Sequence, residues 1–197
     1  MKHFTKFLVL GIFAVSLFTS CAKQPTEQID AVKAAIAAAQ AEGADVYAPE
    51  DLKKLNDSMQ AAMDEITTQS KKFFKKYGPA KEMLAKVQAE ADAVKAAIPA
   101  KKEAAKNAAI QAQTDAKTAL DEAKALLDKA PKGKGTKADI EAMKADLAGL
   151  EISFAEIQTA VDSQDYFGAS GKAATIKEKA MAISEHVKAA MEKVKGK

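Results

Sequence analysis

Apolar residues recur at alternating spacings of three and four positions along most of this chain. The longest unbroken series lies between residues 137 and 162 and consists of Ile140, Met143, Leu147, Leu150, Phe154, Ile157 and Val161. This spacing puts all the members on one face of an α-helix, whereas a half-buried strand would alternate at every second position. We therefore predict an all-α protein of long antiparallel helices with heptad stripes.

Glycine and proline divide the remaining stripes into further helices. Thr26 is placed to cap a helix that begins at residue 27 and ends at Gly43. Pro49 suits the first position of a second helix, whose stripe extends through Phe73 to a break at Gly78 and Pro79. A third helix follows, and at Pro99 either a kink or a new helix start is compatible with the sequence.

Beyond Pro99 the stripe is mostly alanine up to residue 130, and a loop at residues 131–135 follows. Thr136 and Asp139 resemble a capping box for the helix at 137–162. Ser163 or Asp165 can cap the last helix, with residues 166–168 filling the turn before it.

The two halves of the chain resemble each other. A shift of 88 residues aligns Leu52 with Ile140, and one inserted residue then aligns Tyr77 with Tyr166. Internal similarity of this kind indicates duplication of one structural unit. We predict a first repeat at residues 27–98 and a second repeat, with a connecting helix, at residues 99–197. Each is a helical hairpin or three-helix unit, and the two form an elongated bundle.

The first twenty-one residues have the order of a secretory signal peptide. Lys2 and Lys6 precede an apolar or small run from Phe7 to Leu17, which is too short for a stable membrane anchor. The following residues 17–21 (Leu-Phe-Thr-Ser-Cys) resemble a bacterial lipobox, and Cys21 is the only cysteine in the chain. The alternative is an ordinary signal peptide with a chance cysteine.

The lipobox resemblance implies removal of residues 1–20 and attachment of a diacylglyceryl group to Cys21. Residues 21–26 would then be the lipidated cysteine and a short tether. Ala22 rather than aspartate follows the cysteine, and aspartate there is the inner-membrane retention signal of enteric-type bacteria. The expected location is therefore the outer membrane, facing the periplasm.

Charge and composition exclude some partners. All 30 residues counted as Lys+Arg are lysines, and they nearly balance the 27 acidic residues once Lys2 and Lys6 leave with the signal. Without an excess of positive charge or any arginine, nucleic-acid binding is disfavoured. A single cysteine also rules out a disulfide within the chain.

Residues 27–98 resemble the duplicated, alanine-rich helical domain of uncharacterised bacterial envelope lipoproteins. The resemblance rests on residues 43–50 (Gly-Ala-Asp-Val-Tyr-Ala-Pro-Glu) before a helix, and on Tyr77 followed by Ala80, Leu84 and Ala91. Residues 114–190 resemble the same domain more faintly. The resemblance implies a lipid-anchored helical protein that faces the periplasm, and it implies no activity.

Residues suited to catalysis or metal binding are sparse. His186 is the only histidine after the signal segment, and a zinc site needs several converging ligands. Residues 132–136 (Lys-Gly-Lys-Gly-Thr) lack the consecutive Gly-Lys-Thr of a phosphate-binding loop. We therefore predict no catalytic residue, no metal site and no cofactor, and we expect that the protein is not an enzyme.

Six aromatic residues near the predicted turns are candidates for an interaction site or for plugs at the ends of the bundle: Tyr47, Phe73, Phe74, Tyr77, Tyr166 and Phe167. We favour plugging, because seams of alanine leave little volume elsewhere in which to bury rings.

Three functions fit the sequence. The first is a structural or interaction lipoprotein with an envelope-protein or peptidoglycan partner, either alone or as an oligomer. The second is a peptidoglycan tether that is cross-linked through the terminal Lys197. The third is a module that holds a lipid or another apolar ligand between helices lined by Phe73, Phe74 and Tyr166.

Overall fold

The computed structural model describes residues 23–130 and 137–195, and within these ranges it contains α-helices and no strand. The predicted all-α fold class is therefore confirmed. The helices are α1 (Thr26–Ala41), α2 (Ala44–Tyr47), α3 (Pro49–Ser70), α4 (Gly78–Asp128), α5 (Lys137–Asp162) and α6 (Tyr166–Lys195).

The chain divides into two compact units, which we call unit 1 (Met1–Lys101) and unit 2 (Lys102–Lys197). Helix α4 contributes residues to both of them, and Pro99 lies inside this helix. Because proline has no N–H, the carbonyl of Lys95 lacks its usual helical donor at this point. The helix nevertheless continues, so a new helix start at Pro99 is excluded.

In unit 1, α3 runs antiparallel to both α1 and the first part of α4. Lys101 Nζ lies 2.7 Å from Asp51 Oδ2, which places the start of α3 beside residue 101 of α4. At the opposite end, Lys81 of α4 lies against residues 23–28, where α1 begins. The three helices enclose one core whose larger members include Ile29, Val32, Leu55, Ile66, Tyr77, Leu84, Val87 and Ile98.

The turn between α1 and α3 follows the predicted signals, whereas the start of α1 does not. Gly43 has φ +104°, a left-handed conformation that L side chains rarely adopt, and Pro49 opens α3 as its first residue. Thr26, however, lies inside α1. Pro25 takes the capping position, and no side chain bonds the first backbone N–H groups. The predicted Thr26 cap is therefore wrong.

Helix α3 ends at Ser70 and is shorter than predicted, because Phe73 does not continue its buried stripe. The Phe73 side chain is 92% exposed, and residues 71–77 form a loop. Gly78 and Pro79 begin α4 instead of breaking α3. Proline is tolerated in the first turn of a helix, where its missing N–H costs no hydrogen bond.

The described part of unit 2 consists of the second part of α4, α5 and α6, and α5 ends at the predicted residue 162. Gln113 and Lys124 of α4 bond to Gln158 and Glu151 of α5, so these helices run antiparallel. Ala160 is buried and Val161 only partly so, because the 3.6-residue helical repeat drifts away from a strict heptad. The core includes Leu120, Leu127, Ile140, Leu147, Leu150, Ile157, Ile176, Ile183 and Val187.

Asp165 caps α6, as one of the two sequence alternatives anticipated. Its Oδ1 accepts a hydrogen bond from the N–H of Gly168, with an N···O distance of 3.0 Å. A Cβ at position 168 would collide with the Asp165 carboxylate, so glycine permits this close approach. Helix α6 begins at Tyr166, so residues 166–168 form its first turn and not the predicted connection.

We expect that Ala180→Leu lowers the free energy of unfolding by about 1–3 kcal/mol, because the larger side chain overpacks a closed seam. Ala180 has no exposed surface. Urea denaturation followed by circular dichroism measures the change. Ala174→Leu on the exposed face of α6 is the control and should stay within about 0.5 kcal/mol. Equal effects of the two substitutions would show that position 180 is not tightly packed.

Candidate functional site

Four features predicted from the sequence lie outside the described residues: Cys21, the loop at residues 131–135, Thr136 and Lys197. Lipidation of Cys21, the Thr136 capping box and wall attachment through Lys197 therefore stay predictions. In the part of the chain that the structure describes, no helix is long and apolar enough to cross a membrane.

The six aromatic candidates separate into buried tyrosines and exposed phenylalanines. Tyr77 is 2% exposed and Tyr166 is 7% exposed, and each lies at the start of a long helix. Phe73 and Phe74 are 92% and 78% exposed, and Phe167 is 56% exposed, while Tyr47 is half-buried beside the core of unit 1. The interpretation that all six plug bundle ends is therefore wrong for the three phenylalanines.

The most unusual surface of unit 1 is the loop at residues 71–76, which we call the lysine–phenylalanine loop. It consists of Lys71, Lys72, Phe73, Phe74, Lys75 and Lys76, and all six residues are exposed. The two rings touch edge to face, with centroids 5.0 Å apart and planes at 86°. Aromatic pairs favour this geometry, so the loop presents one compact apolar patch framed by lysines.

The Gln69 side chain holds this loop in place. Its Oε1 accepts a hydrogen bond from the backbone N–H of Lys76 at 3.3 Å, and its Nε2 donates to Glu65 Oε1 at 2.7 Å. Gln69 is only 8% exposed, and bonding to both groups offsets the cost of burying its amide. Apolar spacing did not indicate this residue, although Gln69 occupies the next stripe position after Ile66 and is polar there.

The lysine–phenylalanine loop lies at the same end of unit 1 as the N-terminal tether. Residues 23–28 and Lys81 line one shallow depression of about 340 Å³. Lys81 is in the first turn of α4, five residues after the end of the loop. The start of α1, the loop and the start of α4 are therefore grouped at one end of the unit.

In unit 2, an open groove of about 570 Å³ lies between α5 and α6, and Asp146, Ser153, Lys179 and His186 are among its lining residues. Serine, histidine and aspartate are the residue types of a nucleophilic triad. Ser153 Oγ instead donates to the carbonyl of Gly149 at 3.0 Å, and no hydrogen bond joins His186 to Ser153 or Asp146 in this unit's described residues. The groove therefore lacks the coupled geometry of a triad.

In the part of the chain that the structure describes, four ionisable groups have shifted pKa values, and interhelical ion pairs account for each shift. In every case the largest cause is a hydrogen bond between a carboxylate and an ammonium group of neighbouring helices. The pKa is lowered for the carboxyls of Asp51, Asp115 and Glu156 by Lys101, Lys177 and Lys172, respectively, and raised for the Lys124 ammonium by Glu151. These pairs are largely solvent-exposed links between helices, so the shifts do not mark a proton-transfer site.

Over residues 23–130 and 137–195, no group of three or more histidine, cysteine, aspartate or glutamate side chains is arranged to hold a metal ion. No protein-family model, curated protein or solved structure matches the chain. A functional interpretation must therefore come from the residues and their geometry.

We expect that Gln69→Ala destabilises the protein by about 1 kcal/mol and speeds hydrogen exchange at the Lys76 amide, because that N–H loses its acceptor. Gln60→Ala is a matched control, since Gln60 also lies on α3 and bonds to Asp64, but on the exposed face. The control should stay within about 0.5 kcal/mol. Unchanged exchange at Lys76 in the Gln69 variant would contradict the role of Gln69 in fixing the loop.

We expect that His186→Ala leaves the metal content of the purified protein unchanged and its stability within about 0.5 kcal/mol, because His186 is an exposed residue. Elemental analysis and urea denaturation provide the two measurements. Stoichiometric metal that is present in the unaltered protein and lost in the variant would overturn the prediction that no metal site exists.

Proposed function

We propose that this chain is a lipid-anchored protein of the bacterial cell envelope with a structural or protein-interaction role and no catalytic activity. The observation that carries the proposal is the position of Cys21. The only cysteine of the chain directly follows a basic start and an apolar run of signal-peptide length. In the lipobox that this segment resembles, the cysteine at this position carries the lipid.

The proposed location is the outer membrane, facing the periplasm. Ala22 after the cysteine and the resemblance to duplicated, alanine-rich envelope domains support this location. The geometry of the described residues is compatible with a role in interaction. Among the described residues, the exposed large apolar side chains are Val46, Phe73, Phe74, Ile110, Ile152, Phe167 and Met181.

No observation favours either of the other functions that the sequence raised. A ligand module would enclose its apolar lining, yet Phe73 and Phe74 are exposed on a loop of unit 1. Wall attachment depends on Lys197, which lies outside the described residues. Digestion of purified peptidoglycan followed by mass spectrometry tests that attachment directly.

We expect that Cys21→Ala abolishes metabolic labelling with a fatty acid and blocks cleavage before residue 21. The uncleaved apolar run can still retain the chain at the inner membrane, so cell fractionation does not test the prediction. The quantities to measure are the fatty-acid labelling and the molecular mass of the variant. Continued labelling of the variant would contradict lipidation at Cys21.

Replacing residues 1–21 with an ordinary cleavable signal gives the complementary test. Two acyl chains suffice for stable anchoring, so their loss should release a soluble, helical protein into the periplasm. A protein that stays with membranes after a high-salt wash would show that the lipid is not the main attachment.

A further inference from the structure

Exposed phenylalanines need a physical reason, and two of them stand side by side in unit 1. Phe73 and Phe74 lie on a loop between helices and touch mainly each other. A contiguous apolar patch with a polar rim is typical of surfaces that contact another molecule or a membrane. The patch is small, so its occupant must be recognised largely by the residues around it.

Those surrounding residues are all lysines. The loop contains four lysines and no acidic residue, and none of the four forms an ion pair within the described residues. Some lysines elsewhere in the described residues, such as Lys117 and Lys172, pair with carboxylates on the same or a neighbouring helix, whereas others do not. This loop therefore concentrates positive charge in a chain whose overall charge is nearly balanced, and it is complementary to an anionic surface.

The corresponding turn of unit 2 does not have this character. The shift that aligns the two repeats places residues 159–165 opposite the loop, and this stretch contains Asp162 and Asp165 but no lysine. In unit 2 the helix continues to Asp162, and Asp165 caps the next helix. The basic loop is therefore a feature of unit 1 and not a requirement of the turn.

The position of the loop identifies the surface it would meet. The loop leads into α4, whose Lys81 lies against residues 23–28 at the start of α1. Cys21 precedes Lys23 by two residues, and at about 3.3 Å per residue this separation spans at most about 7 Å. A lipid on Cys21 therefore brings this end of unit 1 close to phospholipid headgroups.

The loop has the chemistry that such headgroups require. Aromatic rings favour the interfacial region of a membrane, and lysines approach the phosphates of anionic lipids. The hydrogen bond between Gln69 and Lys76 closes the loop, and the buried Tyr77 directly follows it, so little ordering is needed on binding.

We propose that the lysine–phenylalanine loop is a second membrane contact, which binds anionic phospholipid headgroups at the same end of unit 1 as the Cys21 lipid. Which membrane the loop meets depends on the proposed lipid anchor. The affinity of the loop for anionic lipid is independent of that anchor. One such loop binds weakly by itself, and tethering raises its effective concentration at the surface. The two attachments together fix which end of unit 1 faces the membrane.

Phe74→Trp gives a direct probe, because the chain contains no tryptophan. The test uses the unlipidated mature chain, residues 22–197, with vesicles of phosphatidylcholine alone or mixed with phosphatidylglycerol. We expect the tryptophan emission to shift to shorter wavelength with the mixed vesicles only, and the shift to weaken as salt is added. Ile152→Trp is the control, because Ile152 is exposed on a helix face of unit 2, and its emission should not change.

The contribution of the lysines is tested by changing all four to glutamine. Each lysine near an anionic surface strengthens binding about fivefold, so the loop variant should bind mixed vesicles at least about tenfold more weakly in flotation. The matched control changes four exposed, unpaired lysines outside the loop and alters the net charge equally: Lys95, Lys129, Lys144 and Lys188. The control should keep most of the binding, and circular dichroism checks that both variants are folded.

The proposal fails if mixed vesicles cause no shift of the Phe74→Trp emission, or if the loop and control variants bind equally. It also fails if the loop lysines are needed for cross-linking to a protein and not for vesicle binding, since the loop would then be a protein-docking surface. Fatty-acid labelling of the full chain tests Cys21 separately. Labelling without vesicle binding overturns the loop proposal alone, whereas vesicle binding without labelling overturns the anchor alone.

Discussion

Close packing at alanine is the constraint on which both units depend. Eleven alanines of the described residues have no exposed surface, among them Ala39, Ala62 and Ala91 in unit 1, and Ala116, Ala173 and Ala180 in unit 2. A small side chain lets two helices approach closely, and the resulting interior has little room for rings. Aliphatic residues such as Leu55 and Ile157 fill the remaining volume. The aromatic residues are therefore found mainly near the turns, where each either closes a core or is exposed to solvent.

Tyr77 and Phe73 are examples of these two environments. Tyr77 directly precedes α4 and joins the core of unit 1, whereas Phe73 lies on a loop that the Gln69 side chain closes. The hydrogen bond to Lys76 satisfies a backbone donor, which lets the chain leave α3 at Ser70 and return without a further helical turn. A buried polar residue thus closes the loop that carries the exposed rings.

The sequence predicted the helices well where apolar spacing and capping residues agreed. The end of α5 at Asp162, the left-handed Gly43, Pro49 at the first position of α3 and the Asp165 cap follow from local chemistry. The end of α3 could not be predicted this way, because Phe73 is in phase with the stripe and spacing does not report whether a position is buried. The role of Gln69 could not be predicted from spacing either, because its hydrogen-bond partner is a backbone N–H seven residues away. The sequence also left open whether the helix continues through Pro99, because proline is compatible with a kink as well as with a helix start.

Comparison of the two units separates features that both contain from features that only one contains. Both units keep a buried tyrosine at the start of a long helix and alanine at the contacts, so these features belong to the shared architecture. The turn before that tyrosine differs: unit 2 has a compact connection with an aspartate cap, and unit 1 has an exposed loop of four lysines and two phenylalanines. Two exposed rings contribute little to a core that Tyr77 already closes, and four adjacent lysines repel one another. Such a loop is therefore unfavourable in the isolated chain. Contact with an anionic surface would offset both the exposure of the rings and the repulsion between the lysines.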